Sequence, residues 1–143
     1  MKFNKQKIFN KVVRHLLKQD CQATDEGGNC RYRGNDGTMC AVGCLIPDKL
    51  YSPSFEGLSA GTAGNRLNNV HVALIAAVGA KTTEDFDFLC QLQTIHDEDY
   101  TDEWPEEFRR FAARHRLKHP PALKKALKAM REWHRLEEET SDI

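Results

Sequence analysis

NCRYRGNDGTMCAVGCLIPD, residues 29–48, is the stretch on which the fold class turns. Arg31, Tyr32 and Arg33 read as extended backbone. Gly34-Asn35-Asp36-Gly37 reads as a turn, because glycine, asparagine and aspartate accept positive φ at little cost. Met39 to Ile46 then has two readings. It can return as the second strand of a hairpin, or it can form a short buried helix with Thr38 as cap and Pro47 as stop. The helix is preferred, since Ala41, Gly43 and Cys44 are small enough to let a second helix approach, whereas strands favour branched side chains. The expected class is mainly α: about five helices in one compact domain, with at most a small β-hairpin near residues 30–40.

Outward from this block the pattern is helical. Residues 3–19 set Ile8, Phe9, Val12, Val13, Leu16 and Leu17 on one stripe, with Lys5, Lys7, Lys11, Arg14 and Lys18 elsewhere. Residues 52–65, SPSFEGLSAGTAGN, read as a long Ser/Gly-rich loop. Residues 66–78 form a helix with Leu67, Val70, Leu74, Ile75 and Val78 inward and Gly79 as its cap. His71 lies on that apolar stripe and is expected as a satisfied core residue. Thr82 or Thr83 opens a third helix whose acidic first turn suits the positive end of the helix dipole. Phe88, Leu89, Leu92 and Ile95 form its inner face. A fourth follows Trp104, with Pro105 at a tolerated position and Phe108, Phe111 and Ala112 inward. His119-Pro120-Pro121 is a break. The last helix, residues 121–138, spaces Leu123, Ala126, Leu127, Met130 and Trp133 at helical intervals and would be about 27 Å long. The expected core includes Phe9, Val13, Leu16, Leu74, Leu89, Leu92 and Phe111. The expected division is a helical domain, residues 1–118, and an appended basic amphipathic helix, residues 119–143, packed on that domain or on a partner.

The 143 residues, 40% hydrophobic and 29% charged, suffice for one core that needs no staple. No run approaches the roughly 18 apolar residues of a membrane span. The first twenty residues space their apolar side chains through charges and do not read as an export signal. The expectation is a chain with no membrane association that stays in the cytoplasm. Five cysteines, an odd number, are then expected to be reduced.

Three constellations could carry chemistry. Cys40 and Cys44 with His115 and His119 have the spacing of zinc half-sites, but the first pair sits in an apolar segment and reads better as core. Cys30, His96 and Asp97 can be drawn as nucleophile, base and orienting group, and Cys40 can be drawn with His96. Spacing alone does not bring them together, and with five Cys and six His some such set can always be drawn. The simpler role for His96 is to cap the carboxyl end of the third helix. No phosphate loop or dinucleotide fingerprint is present. No catalytic residue, metal or cofactor is assigned.

Charge is balanced overall, with 21 basic and 21 acidic residues, but it is segregated. Residues 83–107 hold ten acidic side chains and no Lys or Arg, and residues 109–135 hold four Lys and six Arg against Glu132 alone. The two runs are expected to screen one another. A basic face of Lys124, Lys125, Lys128, Arg131 and Arg135 keeps nucleic acid open as a partner, although no aromatic-interleaved motif accompanies it. A homodimer through the C-terminal helix is also open, because an isolated helix of that length is marginal in water.

The block Gly28 to Asp48 reads G-x-C-x-Y-R-G-x-x-G-x-x-C-A-V-G-C-L-I-P-D. With the first helix, KIFNKVVRHLL, the helix LCQLQTIHD at Leu89 to Asp97, and Trp104, it resembles a group of uncharacterised small proteins encoded by bacteriophages and prophages. The resemblance covers about residues 5–117, and the final helix looks like an addition. It implies no established activity. It implies a context in which small single-domain proteins bind a host factor and inhibit or modulate it. The candidate interaction residues are Arg31, Tyr32, Arg33, Asp36, Asp48, His96, Asp97 and Trp104. Two further function classes stay open: a Cys/His-dependent enzyme, and a nucleic-acid-binding module.

Overall fold

Five α-helices form in the computed structural model, which describes residues 1–62 and 66–141: α1 (Lys5–Gln19), α2 (Asn69–Val78), α3 (Thr83–Glu98), α4 (Trp104–His115) and α5 (Pro121–Ser141). The fold is mainly α. Three of the helices, α1, α2 and α3, start at a side-chain cap. The Asn4 side chain accepts the Lys7 N–H, and Asp20 ends α1 in the left-handed region at φ 56°. Thr82 and Asp85 form a reciprocal capping box at the start of α3. Pro105 sits in the first turn of α4, where its missing N–H costs nothing.

α1 is the axis of the packing. Its stripe Ile8, Phe9, Val12, Val13 and Leu16 is buried against α4, α5 and the turn Gly43–Leu45. Phe9 stacks on Phe111 at 5.6 Å and meets Phe108 edge-on, and Phe88 joins the cluster from α3 at 5.1 Å from Phe111. The chain leading into α5 is held to α1 by Gln6, whose side chain accepts the Lys118 N–H and donates to the Lys118 carbonyl. All seven residues expected in the core are buried.

The decisive block resolves into neither of its two readings. Met39 to Ile46 is not an α-helix. It makes one 3-10 turn, Gly43–Leu45, after a loose turn over Cys40 to Val42. Nor is it a strand: the hairpin is reduced to an isolated antiparallel bridge between Arg33 and Met39, with a second between Thr24 and Cys30. Gly43 is pressed against the backbone of Tyr32, and a Cβ there would run into the Tyr32 carbonyl. That close approach replaces the expected helix–helix contact, and Pro47, with no N–H, stops the turn from growing.

Other expectations are corrected. α2 begins at Asn69, because Asn68 caps it by accepting the Val70 and His71 N–H groups. Val70, His71 and Leu74 are buried as expected, and Leu67 and Ile75 are exposed. α5 runs to Ser141, and only Leu123 and Leu127 of its stripe are buried, with Trp133 63% exposed. Its main packing is on α1 and α4. Among the described residues no ion pair joins α3 to α5; the basic run is partly screened within α4, where Arg109 and Arg110 pair with Glu106 and Glu107. The expected 52–65 loop contains a 3-10 turn at Pro53–Phe55. Its residues 63–65 lie outside the described residues.

Phe111 touches both Phe9 and Phe88, so its removal opens the middle of the cluster. Phe111→Ala should lower unfolding stability by about 3–5 kcal/mol, the range for a buried aromatic truncated in a packed core. Urea unfolding followed by circular dichroism measures this, and a loss under 1 kcal/mol would place the core elsewhere.

Candidate functional site

The segment after α1 crosses the carboxyl end of α3, and hydrogen bonds between side chains and backbone hold it there. The Gln22 side chain donates to the carbonyls of His96 and Asp97, and the Ala23 N–H donates to His96 Nε2 at 2.9 Å. The Arg31 N–H returns to the Ala23 carbonyl, which closes the segment into a narrow loop. Cys30 is thereby set beside Asp97. Among the described residues, Cys30, His96 and Asp97 are the one group of three or more potential ligand side chains whose atoms lie within 4.8 Å of one another. Folding thus brings together the set that spacing could only suggest.

The order of contacts decides what the set can do. His96 is fully buried and lies parallel to Trp104, 5.8 Å between centroids. Because Nε2 accepts from Ala23, the ring proton is on Nδ1, and it is donated to Asp97 Oδ1 at 2.7 Å. Neither ring nitrogen is open to a thiol. Cys30 faces the Asp97 carboxylate instead. Burial, and then the Asp97 charge and hydrogen bond, push its thiol up to about 11. A nucleophilic cysteine needs the opposite environment.

The same tautomer disfavours a metal. A cation on Nδ1 would require the proton on Nε2, where it would point at the Ala23 N–H. His96 is therefore a clamp between the loop and α3, and the expectation that it caps the helix end is corrected. The Asp99 N–H, not His96, meets the Ile95 carbonyl there, which also accepts from Trp104 Nε1.

Next to this trio is a polar cleft of about 300 Å3 between Cys30, Tyr32, Glu56, Leu58, Cys90 and Asp97. Glu56 organises it. Its carboxylate accepts the N–H groups of Tyr32 and Arg33 and the Tyr51 hydroxyl, and it lies 3.8 Å from Arg31. The Tyr32 hydroxyl donates to the Leu58 carbonyl. Arg33 reaches Asp48 at 2.6 Å and the Ile46 carbonyl, with its guanidinium over the Tyr51 ring. Glu56 was not among the expected residues, because its Ser/Gly-rich surroundings read as a mobile loop.

The remaining expected residues are dispersed. Tyr32, His96 and Trp104 are buried, and Tyr32 also lines the polar cleft. Arg31, Arg33 and Asp48 are tied into the Glu56 and Arg33 networks. Asp36 stands exposed in the turn at φ 60°. Cys40 and Cys44 are buried; desolvation pushes Cys44 up to about 12 and Cys40 further. His115 packs between Phe88 and Phe111 and bonds Gln91, and among the described residues it does not converge with Cys40 and Cys44. His71 uses both ring nitrogens, accepting from the Asn68 N–H and donating to the carbonyls of Ala60 and Gly61.

The surface carries two further features. An apolar groove of about 830 Å3 runs along the start of α1 to the end of α2, floored by Phe3, Ile8, Leu45 and Val78 and lined by Lys2, Lys5, Lys7 and Lys11. The basic face of α5, Lys124, Lys125, Lys128, Arg131 and Arg135, is exposed, with Arg135 paired to Glu139. No helix among the described residues is long and apolar enough to cross a membrane. The chain matches no protein-family model, no curated protein and no solved structure.

Cys21 and Cys30 are both at the surface, yet they should react differently. Alkylation of Cys30 should be slow at neutral pH and climb about tenfold per pH unit towards 11, because only the thiolate reacts. Asp97→Asn removes the repelling charge and should speed it several-fold at pH 8. Mass-resolved iodoacetamide labelling reads both; Cys30 outrunning Cys21 at neutral pH would contradict the assigned geometry.

Proposed function

We propose that this is a phage-type accessory protein that acts by binding a host protein in the host cytoplasm, as an inhibitor or modulator. The observation that carries this reading is the lysine-lined apolar groove between α1 and α2. Apolar floor and cationic rim suit an acidic, amphipathic segment of a partner, with the floor supplying affinity and the lysines supplying orientation and on-rate. Among the described residues none of these four lysines is in an ion pair; Lys5 lies over the Phe88 ring, and the charge of Lys2, Lys7 and Lys11 is available. The resemblance of Gly28–Asp48 and Leu89–Asp97 to the phage group supports the same reading.

In this account residues 1–118 carry the host-binding surface, and residues 119–143 are an addition serving a second copy or another partner. The enzyme reading loses its support from geometry, since the Cys30 thiol is held protonated and His96 has no free nitrogen. Nucleic acid is the second reading, favoured by the exposed Lys124, Lys125, Lys128 and Arg131, which also form no ion pair among the described residues.

Capture from host lysate with the wild-type chain and a Lys2→Glu/Lys7→Glu/Lys11→Glu variant tests the proposal. The wild type should retain an acidic protein at moderate salt, and the variant should bind it about tenfold more weakly, a few tenths of a kcal/mol per rim charge. Equal retention by both chains, or none by either, contradicts it. Binding that goes only to duplex DNA or RNA and falls steeply with salt supports the second reading instead.

A further inference from the structure

α5 is longer than its support. Leu123 and Leu127 anchor its first turns, yet every residue from Arg131 to Ser141 is exposed. About three turns of helix, roughly 16 Å, therefore stand clear of the domain. A free helical extension of that length is not stable in water by itself. It also carries the largest exposed side chain of the helix, Trp133 at 63%, followed three residues on by Leu136 at 47%.

These two do not continue the buried stripe. Leu123 and Leu127 form the seam on α1 and α4, with Met130 half-buried at its end. Ala126, Ala129, Trp133, Leu136 and Thr140 form a second seam, spaced 3-4-3-4 and lying roughly a quarter-turn round the helix. Its first half is two alanines and its second half is two large side chains. Charge divides in the same way. Lys124, Lys125, Lys128 and Arg131, with the one acid Glu132, precede Trp133; Glu137, Glu138 and Glu139, with the one Arg135, follow it.

We infer that two copies of the chain pair antiparallel through this second seam of α5. Antiparallel register sets Trp133 over Ala129 of the second copy and Leu136 over its Ala126, large on small in every layer. It also brings Lys125 of each helix onto the same side of the seam as Glu139 of the other, whose carboxylate Arg135 holds within its own helix. A parallel pair would oppose Trp133 to Trp133 and like charge to like. The contact is isologous, so each pairing occurs twice. It uses a different element from the α1–α2 groove and does not depend on the host-binding reading.

Sedimentation of the full chain across the micromolar range, with three variants, tests this. Wild type should approach twice the mass of one chain, and Trp133→Ala should remain monomeric. Lys124→Glu/Lys125→Glu/Lys128→Glu should also remain monomeric, since both halves are then acidic. Adding Glu137→Lys/Glu138→Lys/Glu139→Lys to that chain reverses both halves and should restore the dimer at least tenfold in Kd. Far-ultraviolet circular dichroism of each variant and of wild type at a concentration where every chain is monomeric should agree, which excludes unfolding as the cause, because all the substituted positions are exposed. A wild type that stays monomeric, a dimer indifferent to Trp133→Ala, or a fully reversed chain that fails to re-associate each overturns the inference. A monomeric wild type that binds duplex nucleic acid with a steep salt slope overturns it in favour of that partner.

Discussion

The backbone N–H of Ala23 has no secondary-structure partner; it is satisfied by a buried ring nitrogen of His96, 73 positions along the chain. An unmet donor there would cost about 1–3 kcal/mol, so the bond constrains both sides. On one side it fixes the ring's tautomer and hands the Nδ1 proton to Asp97. On the other it lays the 21–31 loop over the end of α3 and delivers Cys30 to the Asp97 carboxylate. Trp104 closes over the ring and joins α3 to α4 through the Ile95 carbonyl. One hydrogen bond thus explains why three residues resembling a catalytic set are assembled, and why the set is held inert.

Much of the helical frame was legible. Ile8, Phe9, Val12, Val13 and Leu16 recur at a spacing only a helix can bury together, and Thr82 and Pro105 mark starts by their own chemistry. What was hidden depends on contacts between distant segments. Periodicity cannot tell that Gly43 will be pressed against Tyr32, and so it cannot tell that Met39–Ile46 will form one 3-10 turn where a helix or strand was expected. The inner face of α2 was read correctly at Val70, His71 and Leu74, but its start was not, because Asn68 caps it through its side chain and leaves Leu67 outside the helix.

The site was legible only as a possibility. Cys30, His96 and Asp97 could be named, but their order of contact could not, and that order separates a nucleophile from a clamp. Glu56 had no signal at all: a single acid in a Ser/Gly-rich stretch, it becomes the acceptor for two backbone N–H groups and a tyrosine hydroxyl. Charge segregation was plain in the sequence, yet the expected pairing of acidic and basic runs gave way to ion pairs within α4 and α5. The basic face of α5 and the lysines of α1 are left for partners, which moves the functional weight from thiol chemistry to surfaces.

The account stands on the protonation pattern of one ring. Long-range proton–nitrogen correlation spectra of the His96 imidazole read it directly. The account predicts a proton on Nδ1, a bare Nε2, and a scalar coupling from Nε2 to the Ala23 amide across the hydrogen bond. A proton on Nε2, or no coupling to Ala23, would contradict it, free Nδ1 for the Cys30 thiol or a cation, and return the cluster to chemistry.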